Sequence, residues 1–577
     1  MPDGVTLLTD VARPNDSASR PVPLLLARTP YLLGGRLTLK LMGRDVERPG
    51  AMAEMFELQT DVSVERAVAA GFAVGVQACR GTDRSDGTFR FYRDEASDGV
   101  ATRRALAALP WCDGSVLTFG HSYVTTTQFT AALADADGIA AMTPWVAPST
   151  YDDDLAMRGG VLLEGPGYEW ARLRVTDGRV RDGLSEVPDD VLPMDVFESA
   201  PLLRELGIAE FADRLAEAHP AGAHLAEWVR HPLRDEYWEG LAYSEASLRG
   251  LDVPALHVSG WYDVFQGGTL RNYRLMRQGV ASEGQRLVIG PWTHINRTGD
   301  LGGLVLPRAT PVDAGLDVLQ LDFWRASVGD AAAAARLPAG RARVYLLGLN
   351  RWVDLPDWPV PDAEPTRWAL GRDADADAGA GVLLPEPGAD AGEASTGFVH
   401  DPADPVPTCG GPMLLGLPHN AGPLDQQEVE RRADVVTFTG PTLDAPIAVV
   451  GPVRLRVWVS ADAPDAHLHA TLADVAPDGR STILTDGVLR LSGRRGLDRR
   501  DPLTPGEPEE VEIDLWATGN VFLPGHAIRL DLAGSNWPRY SVSDPAGGRQ
   551  VEITLHHDAG HRSVLTLPVL PSAAVGL

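Results

Sequence analysis

Cysteine is scarce in these 577 residues: Cys79, Cys112 and Cys409 are the only three. They stand too far apart for a zinc knuckle or a disulfide framework, so buried free thiols are expected. Lysine is scarcer still. Lys40 stands alone, arginine carries nearly all the positive charge, and no function follows from that. Positive charge itself falls short, with 51 Lys and Arg against 79 Asp and Glu, a net charge of −28 and a pI near 4.8. So acidic a surface favours solubility and repels phosphate backbones and anionic lipid, which excludes nucleic acid and membrane as partners. No run of about 18 apolar residues predicts a membrane span. Met1 to Asp10 shows no basic region followed by an apolar core, so no signal peptide is expected and a cytoplasmic protein is the simplest account. H-E-x-x-H, a clustered His/Asp set, a P-loop and G-x-G-x-x-G are missing too. Metal hydrolysis and nucleotide chemistry are therefore disfavoured, and neither metal nor cofactor is expected.

What is present centres on Ser122. The apolar stretch Ser115–Phe119 predicts a buried strand, Gly120-His121-Ser122-Tyr123 a sharp turn, and Thr125–Ala134 the first turns of a helix. A serine on such a strand–turn–helix junction is the nucleophile elbow of an α/β-hydrolase. G-x-S alone is common and can be a mere helix cap, and Val124 stands where G-x-S-x-G has its last glycine. The partners decide the matter. Val253–Gly260 predicts a strand running into Asp263, and Gln285–Gly290 another running into His294. Ser122, Asp263 and His294 thus follow the chain order of that fold's triad, each just past a strand. Asp263 lies 141 residues on (263 − 122), room for an inserted segment, and His294 a further 31 (294 − 263), one strand–helix–strand step.

The chemistry assigns roles. A serine hydroxyl is a weak nucleophile near neutral pH, so His294 takes its proton during attack and returns it to the leaving group. Asp263 holds the imidazole tautomer. The backbone N–H of Tyr123 is the expected first oxyanion donor. No HGGG-type sequence supplies the second, and the phenol of Tyr31, which ends the strand-and-loop stretch Val22–Tyr31, is the candidate, unless it is only a packed aromatic.

At these residues the chain resembles the cocaine esterase / X-Pro dipeptidyl-peptidase (CocE/NonD) hydrolases. The motifs that carry the resemblance run nearly end to end. They are Asp3-Gly4-Val5, Arg28–Tyr31, Arg80-Gly81 with Ser85-Asp86-Gly87, Trp111–Gly114, Gly120–Tyr123 with Gln128, Gly260–Asp263, Gly290–His294, Asp401–Pro407, Asp474 to Gly479, and Asn520–His526. The resemblance implies the triad Ser122, Asp263 and His294, with Tyr31 and the Tyr123 amide as oxyanion hole. It also implies an α/β-hydrolase catalytic domain with an inserted helical cap and a C-terminal jelly-roll β-sandwich. Thr125 and Ala78 depart from the pattern, where relatives carry Gly and Asp. His121, beside the nucleophile, reads as a structural group.

Residues 1–147 and 250–341 are expected to form the catalytic domain, 148–249 the cap, and 342–577 the sandwich. Arg343–Leu347, Val453–Val459 and Ile528–Leu532 alternate with period two, as sandwich strands do, while Asp373 to Ser395 is pattern-free and predicts an exposed loop. Trp145, Tyr151, Trp261 and Phe265 lie beside the motifs and could line an acyl pocket or simply fill the core. Asp152-Asp153-Asp154 opens the cap. It could hold a substrate ammonium, as carboxylates near this point look to do in α-amino-acid ester hydrolases, but helix N-terminal acids suffice to explain it. The expected partner is a small-molecule ester, preferred over an amide, with an apolar or aromatic acyl group. Amidase or X-Pro-type peptidase activity, acyl transfer and a homodimer stay open.

Overall fold

Val22–Thr29, Ala73–Ala78 and Ala255–Tyr262 are short apolar runs with almost no exposed position. A strand buried on both faces belongs in the middle of a parallel sheet. That is where the computed structural model, which describes residues 1–31, 51–185, 193–302, 304–372, 380–386, 395–416 and 420–577, places them. Nine strands form one sheet: β1 Thr9–Ala12, β2 Val22–Thr29, β3 Ala73–Ala78, β4 Cys112–His121, β5 Ile139–Trp145, β6 Ala255–Tyr262, β7 Gln285–Thr293, β8 Ala342–Leu346 and β9 Arg351–Leu355. Their order is β1-β3-β2-β4-β5-β6-β7-β8-β9. Only the edge strands β1 and β9 run antiparallel to their neighbours. This is the α/β-hydrolase fold, and the order switches direction around β2 and β3, so the carboxyl ends of β4, β6 and β7 open into one crevice.

Strands β8 and β9 carry the nine-stranded sheet past residue 341. Arg343–Leu347 was expected in the sandwich, yet Ala342–Val344 pairs parallel to Leu287–Ile289 of β7. A five-residue apolar run carries no mark of which sheet it will join. Lys40 and most of the expected loop at 373–395 lie outside the described residues. Ala380–Pro385, within that loop, is a strand paired with Trp368–Gly371 and with Val435–Thr439.

Between β5 and β6 the chain is mainly helical, from Glu164–Arg181 to Glu245–Gly250, with one short hairpin, Met157–Arg158 against Val161–Leu162, that the sequence pattern did not reveal. Beyond β9 the chain is β-rich. Its longest pairing joins Ile447–Ala461 to Glu509–Phe522, with a bulge between Pro452 and Arg454. Two cores hold these parts together. One packs the crevice side of the sheet against the helical segment and Met413–Leu415. The other packs Trp261, Tyr262 and Ile289 against Val449, Leu455 and Phe522 of the β-rich part. A buried ionic knot adds to the join: Asp486 accepts from Arg158 at 2.9 Å and also pairs with Arg539. Such a knot is costly to break singly, because a lone buried charge remains.

Candidate active site

Ser122 sits between β4 and helix Tyr123–Ala134 with φ 61° and ψ −126°. Few side-chain-bearing residues adopt this part of the map, and the cost is about 1–3 kcal/mol. The surroundings enforce it. The Ser122 N–H donates to the Trp145 carbonyl at 3.0 Å. Thr125 shares its hydroxyl proton between the carbonyls of Gly120 and Trp145, at 2.8 and 2.7 Å. Thr125, standing where the resemblance implied glycine, ties helix and strand together. Gly120 supplies the close approach instead, since a Cβ there would lie 2.1 Å from Val124 Cγ1.

The three distant side chains meet. Ser122 Oγ lies 3.0 Å from His294 Nε2, and His294 Nδ1 lies 2.9 Å from Asp263 Oδ2. The other carboxylate oxygen of Asp263 accepts the Phe265 N–H at 2.6 Å, so the carboxylate is held at both ends. All three side chains are buried. His121 turns away from Ser122 and lies 2.9 Å, through Nε2, from the His294 carbonyl. Burial, with His294 and Arg297 nearby, holds its pKa well below the usual imidazole range. A neutral His121 thus donates to that carbonyl and fixes the loop carrying His294.

Tyr31 is buried, accepts the Trp170 indole N–H at 3.4 Å and reaches the Ser122 side chain. Burial raises its pKa, so it remains a protonated donor. The Tyr123 amide is the first of its helix and has no intrahelical acceptor. Its phenol donates to Glu95 at 2.9 Å, and Glu95 pairs with Arg28 at 2.9 Å, so the buried Arg28 and Glu95 anchor the helix start.

A small cavity opens at Ser122, walled by Tyr92, Tyr123, Trp170, Trp228, Phe265 and Leu414 among others. Of the four aromatics expected there, the structure places Phe265 in the wall. Trp145 instead packs under Arg297, 4.8 Å from the guanidinium, and donates to Gln320 at 3.2 Å. Tyr151 stands behind Tyr92, with ring centroids 4.9 Å apart. Trp261 faces the β-rich part and donates to the Tyr345 carbonyl at 2.6 Å. Regular alternation would put Trp261 on the same face as Asp263, but the pairing of β6 with β7 shifts register between Gly260 and Tyr262, which breaks that pattern. The acidic triplet is consumed structurally. Asp152 pairs with Arg234, Asp153 accepts the Gly159 N–H at 2.8 Å, and Asp154 accepts those of Ser149 and Thr150 at 3.0 Å.

The family model for the X-Pro dipeptidyl-peptidase (S15 family) matches residues 3–296, and that for the X-Pro dipeptidyl-peptidase C-terminal non-catalytic domain matches 336–566. The cocaine esterase of Rhodococcus sp. (strain MB1 Bresler) is 33% identical over 591 residues, covering 99% of this chain and 97% of the relative. The chain belongs to the X-Pro dipeptidyl-peptidase (S15) family. It is a serine hydrolase, as the resemblance to the CocE/NonD hydrolases implied. Two solved structures share the S15 fold across 99% of this chain and 95% of theirs. They are an aminopeptidase from a marine sediment archaeon (22% identity, TM-score 0.82) and an α-amino acid ester hydrolase (21%, 0.79).

Most of the cavity wall in this S15 chain was not singled out from sequence. Trp170 and Trp228 come from cap helices, and Leu414 from the segment after residue 400. The Trp170-Leu173 stripe of helix Glu164–Arg181 was the available signal. Leu414 is seated by Glu169, whose carboxylate accepts the Leu415 N–H at 3.0 Å. Burial pushes the Glu169 pKa up from 4.5 to about 8. Between those values the folded protein holds a proton that the unfolded chain has lost, so this group makes stability fall as pH rises from about 4.5 to 8. Glu169→Gln should therefore melt several degrees above the parent at pH 8 and close to it at pH 5. Thermal melts showing an equal gap at both pH values would refute this.

Proposed function

We propose that this enzyme hydrolyses carboxylic esters with a bulky apolar or aromatic acyl group through an acyl-enzyme on Ser122. The observation that carries the reading is the hydrogen-bonded chain Ser122–His294–Asp263 opening into an aromatic cavity. His294 Nε2 takes the Ser122 proton as Oγ attacks the ester carbonyl. The oxyanion forms against the Tyr31 hydroxyl and the Tyr123 amide, and the alkoxide leaves with the proton from His294. Water, deprotonated by the same nitrogen, then releases the acid. Asp263 stabilises the imidazolium in both halves.

The peptidase and aminopeptidase names among the relatives raise amide substrates with a free amine. A substrate ammonium calls for a carboxylate in the cavity, and the cavity wall carries none among the described residues. Asp152, Asp153 and Asp154 are occupied with Arg234 and backbone amides. This favours neutral esters. The acidic charge balance fits an enzyme of the cytoplasm with no nucleic-acid partner. No helix among the described residues is long and apolar enough to cross a membrane.

The test is a panel of aryl and alkyl esters against matched amides, with the trapped intermediate mapped by mass spectrometry. Aryl-acyl esters should turn over at least tenfold faster than the amides, unaffected by EDTA, with the acyl group on Ser122. A fluorophosphonate label should map there too, and not to Ser115 or Ser259. Faster amide turnover that requires a free amine would replace the esterase reading.

A further inference from the structure

A second cleft, open to solvent, lies where the catalytic part, the cap and the β-rich part meet. Helix Gln266–Arg277, which begins just after Asp263 and Phe265, gives it Arg271 and Arg274; the cap gives Arg234, and strand Ile447–Ala461 gives Arg454. Its acidic groups are Asp153, Asp154 and Asp514. Burial pushes Asp154 up to about 8 and Asp153 to about 6, so Asp154 is largely neutral at pH 7. Four guanidinium groups then share a wall with two ionised carboxylates, while Asp152, Glu245 and Glu512 stand beside Arg234, Arg271 and Arg454 from outside the lining.

The arginines are unequally served. Arg234 pairs with Asp152, and Arg454 with Asp514. Arg271 donates to Ser149 at 2.6 Å and stands 3.6 Å from Glu245. The Arg274 side chain has no hydrogen bond or ion pair among the described residues, and its charge is felt by the Glu245 carboxylate; burial, and after it the charges of Arg274 and Arg158, disfavour the charge on Arg454, which Glu512 supports. Elsewhere the fold has prepared the walls. The bulge at Pro452/Arg454 lies opposite Trp516, which takes φ 58°, a genuine outlier for so bulky a residue. Arg158 lies flat on Trp516 at 3.5 Å and is itself fixed by Asp486, so the indole is held in place. Trp516, Trp358, Leu270 and Pro452 make the rest of the wall apolar.

We propose that this cleft binds an organic carboxylate, its anionic head on Arg274 and Arg271 and its apolar body against Trp358 and Leu270. Guanidinium groups match the two oxygens of a carboxylate. An inorganic anion would leave the apolar wall in water, and a neutral ester would leave Arg274 unanswered. The site is separate from the cavity at Ser122, with which it shares no lining residue.

Calorimetric titration of benzoate into enzyme sulfonylated by phenylmethylsulfonyl fluoride tests this, with the acyl cavity blocked and the label mapped by mass spectrometry. A label off Ser122 would count against the esterase reading and not against this cleft. Benzoate should bind, benzyl alcohol should not, and Arg274→Gln should weaken benzoate at least tenfold with melting temperature and ester kcat/KM unchanged. No benzoate binding, binding indifferent to Arg274→Gln, or inorganic phosphate binding as tightly as benzoate would each overturn the proposal.

Discussion

Replacing Ser122 with alanine should cut ester turnover by a factor of about 10⁶ while leaving the melting temperature where it was. The two halves of that expectation come from different observations. The Ser122 side chain caps no helix amide, and among the described residues its hydroxyl meets His294 and Tyr31. On the proposed mechanism its removal takes away the nucleophile and, among the described residues, contacts inside the site only, not the bonds that anchor the helix start. Alanine keeps the Cβ, so the strained backbone is neither relieved nor worsened. Glycine separates the effects further. At φ 61° a Cβ is a burden, and Ser122→Gly should be as inactive as the alanine variant yet melt higher, by up to the 1–3 kcal/mol (about) that such strain costs. Rates of p-nitrophenyl ester hydrolysis and thermal melts of the three proteins make the check. Residual activity within a hundredfold of the parent would mean that another group attacks the ester. A glycine variant that melts lower would mean that the elbow is not strained.

The legible and illegible parts of this molecule differ in a physical way. Ser122, Asp263 and His294 could be read because each needs a fixed residue type at the end of a strand, and strand ends are marked by local apolar runs. The α/β-hydrolase sheet was legible for the same reason. The walls of the cavity were not, because apolar packing accepts many residue types and depends on which distant segments touch. Trp145 and Trp261 flank the motifs in sequence, yet one packs beneath Arg297 and the other serves the seam with the β-rich part. Leu414, 151 residues after Asp263 (414 − 263), reaches the cavity through a tertiary contact set by Glu169. The placement of Ala342–Leu346 was illegible on a related ground, since such a run satisfies either sheet equally until β7 presents its free edge.

Tyr31→Phe should lower kcat by about 10²–10³, the cost of removing one oxyanion-hole donor, or about 2.7–4 kcal/mol, with KM changed far less. The ring is held independently of its hydroxyl, buried and with the Arg174 guanidinium 5.9 Å from its centroid, so phenylalanine should keep the packing. What is lost is a proton donor that stands ready before the reaction starts. The Trp170 indole N–H donates to the Tyr31 oxygen, which occupies a lone pair and leaves the phenol proton for the Ser122 side. A donor so fixed gains most when the carbonyl oxygen becomes an oxyanion, because charge develops in a site from which water is largely excluded. Ground-state binding gains little, hence the split between kcat and KM. Burial also raises the Tyr31 pKa above 10.0, so the parent should show no alkaline loss of kcat from this phenol below that pH. Steady-state kinetics on one aryl ester from pH 6 to 10 reads both effects. A Phe variant within twofold of the parent in kcat would reduce Tyr31 to a packed aromatic, and an equal fall in affinity would make it a substrate contact instead.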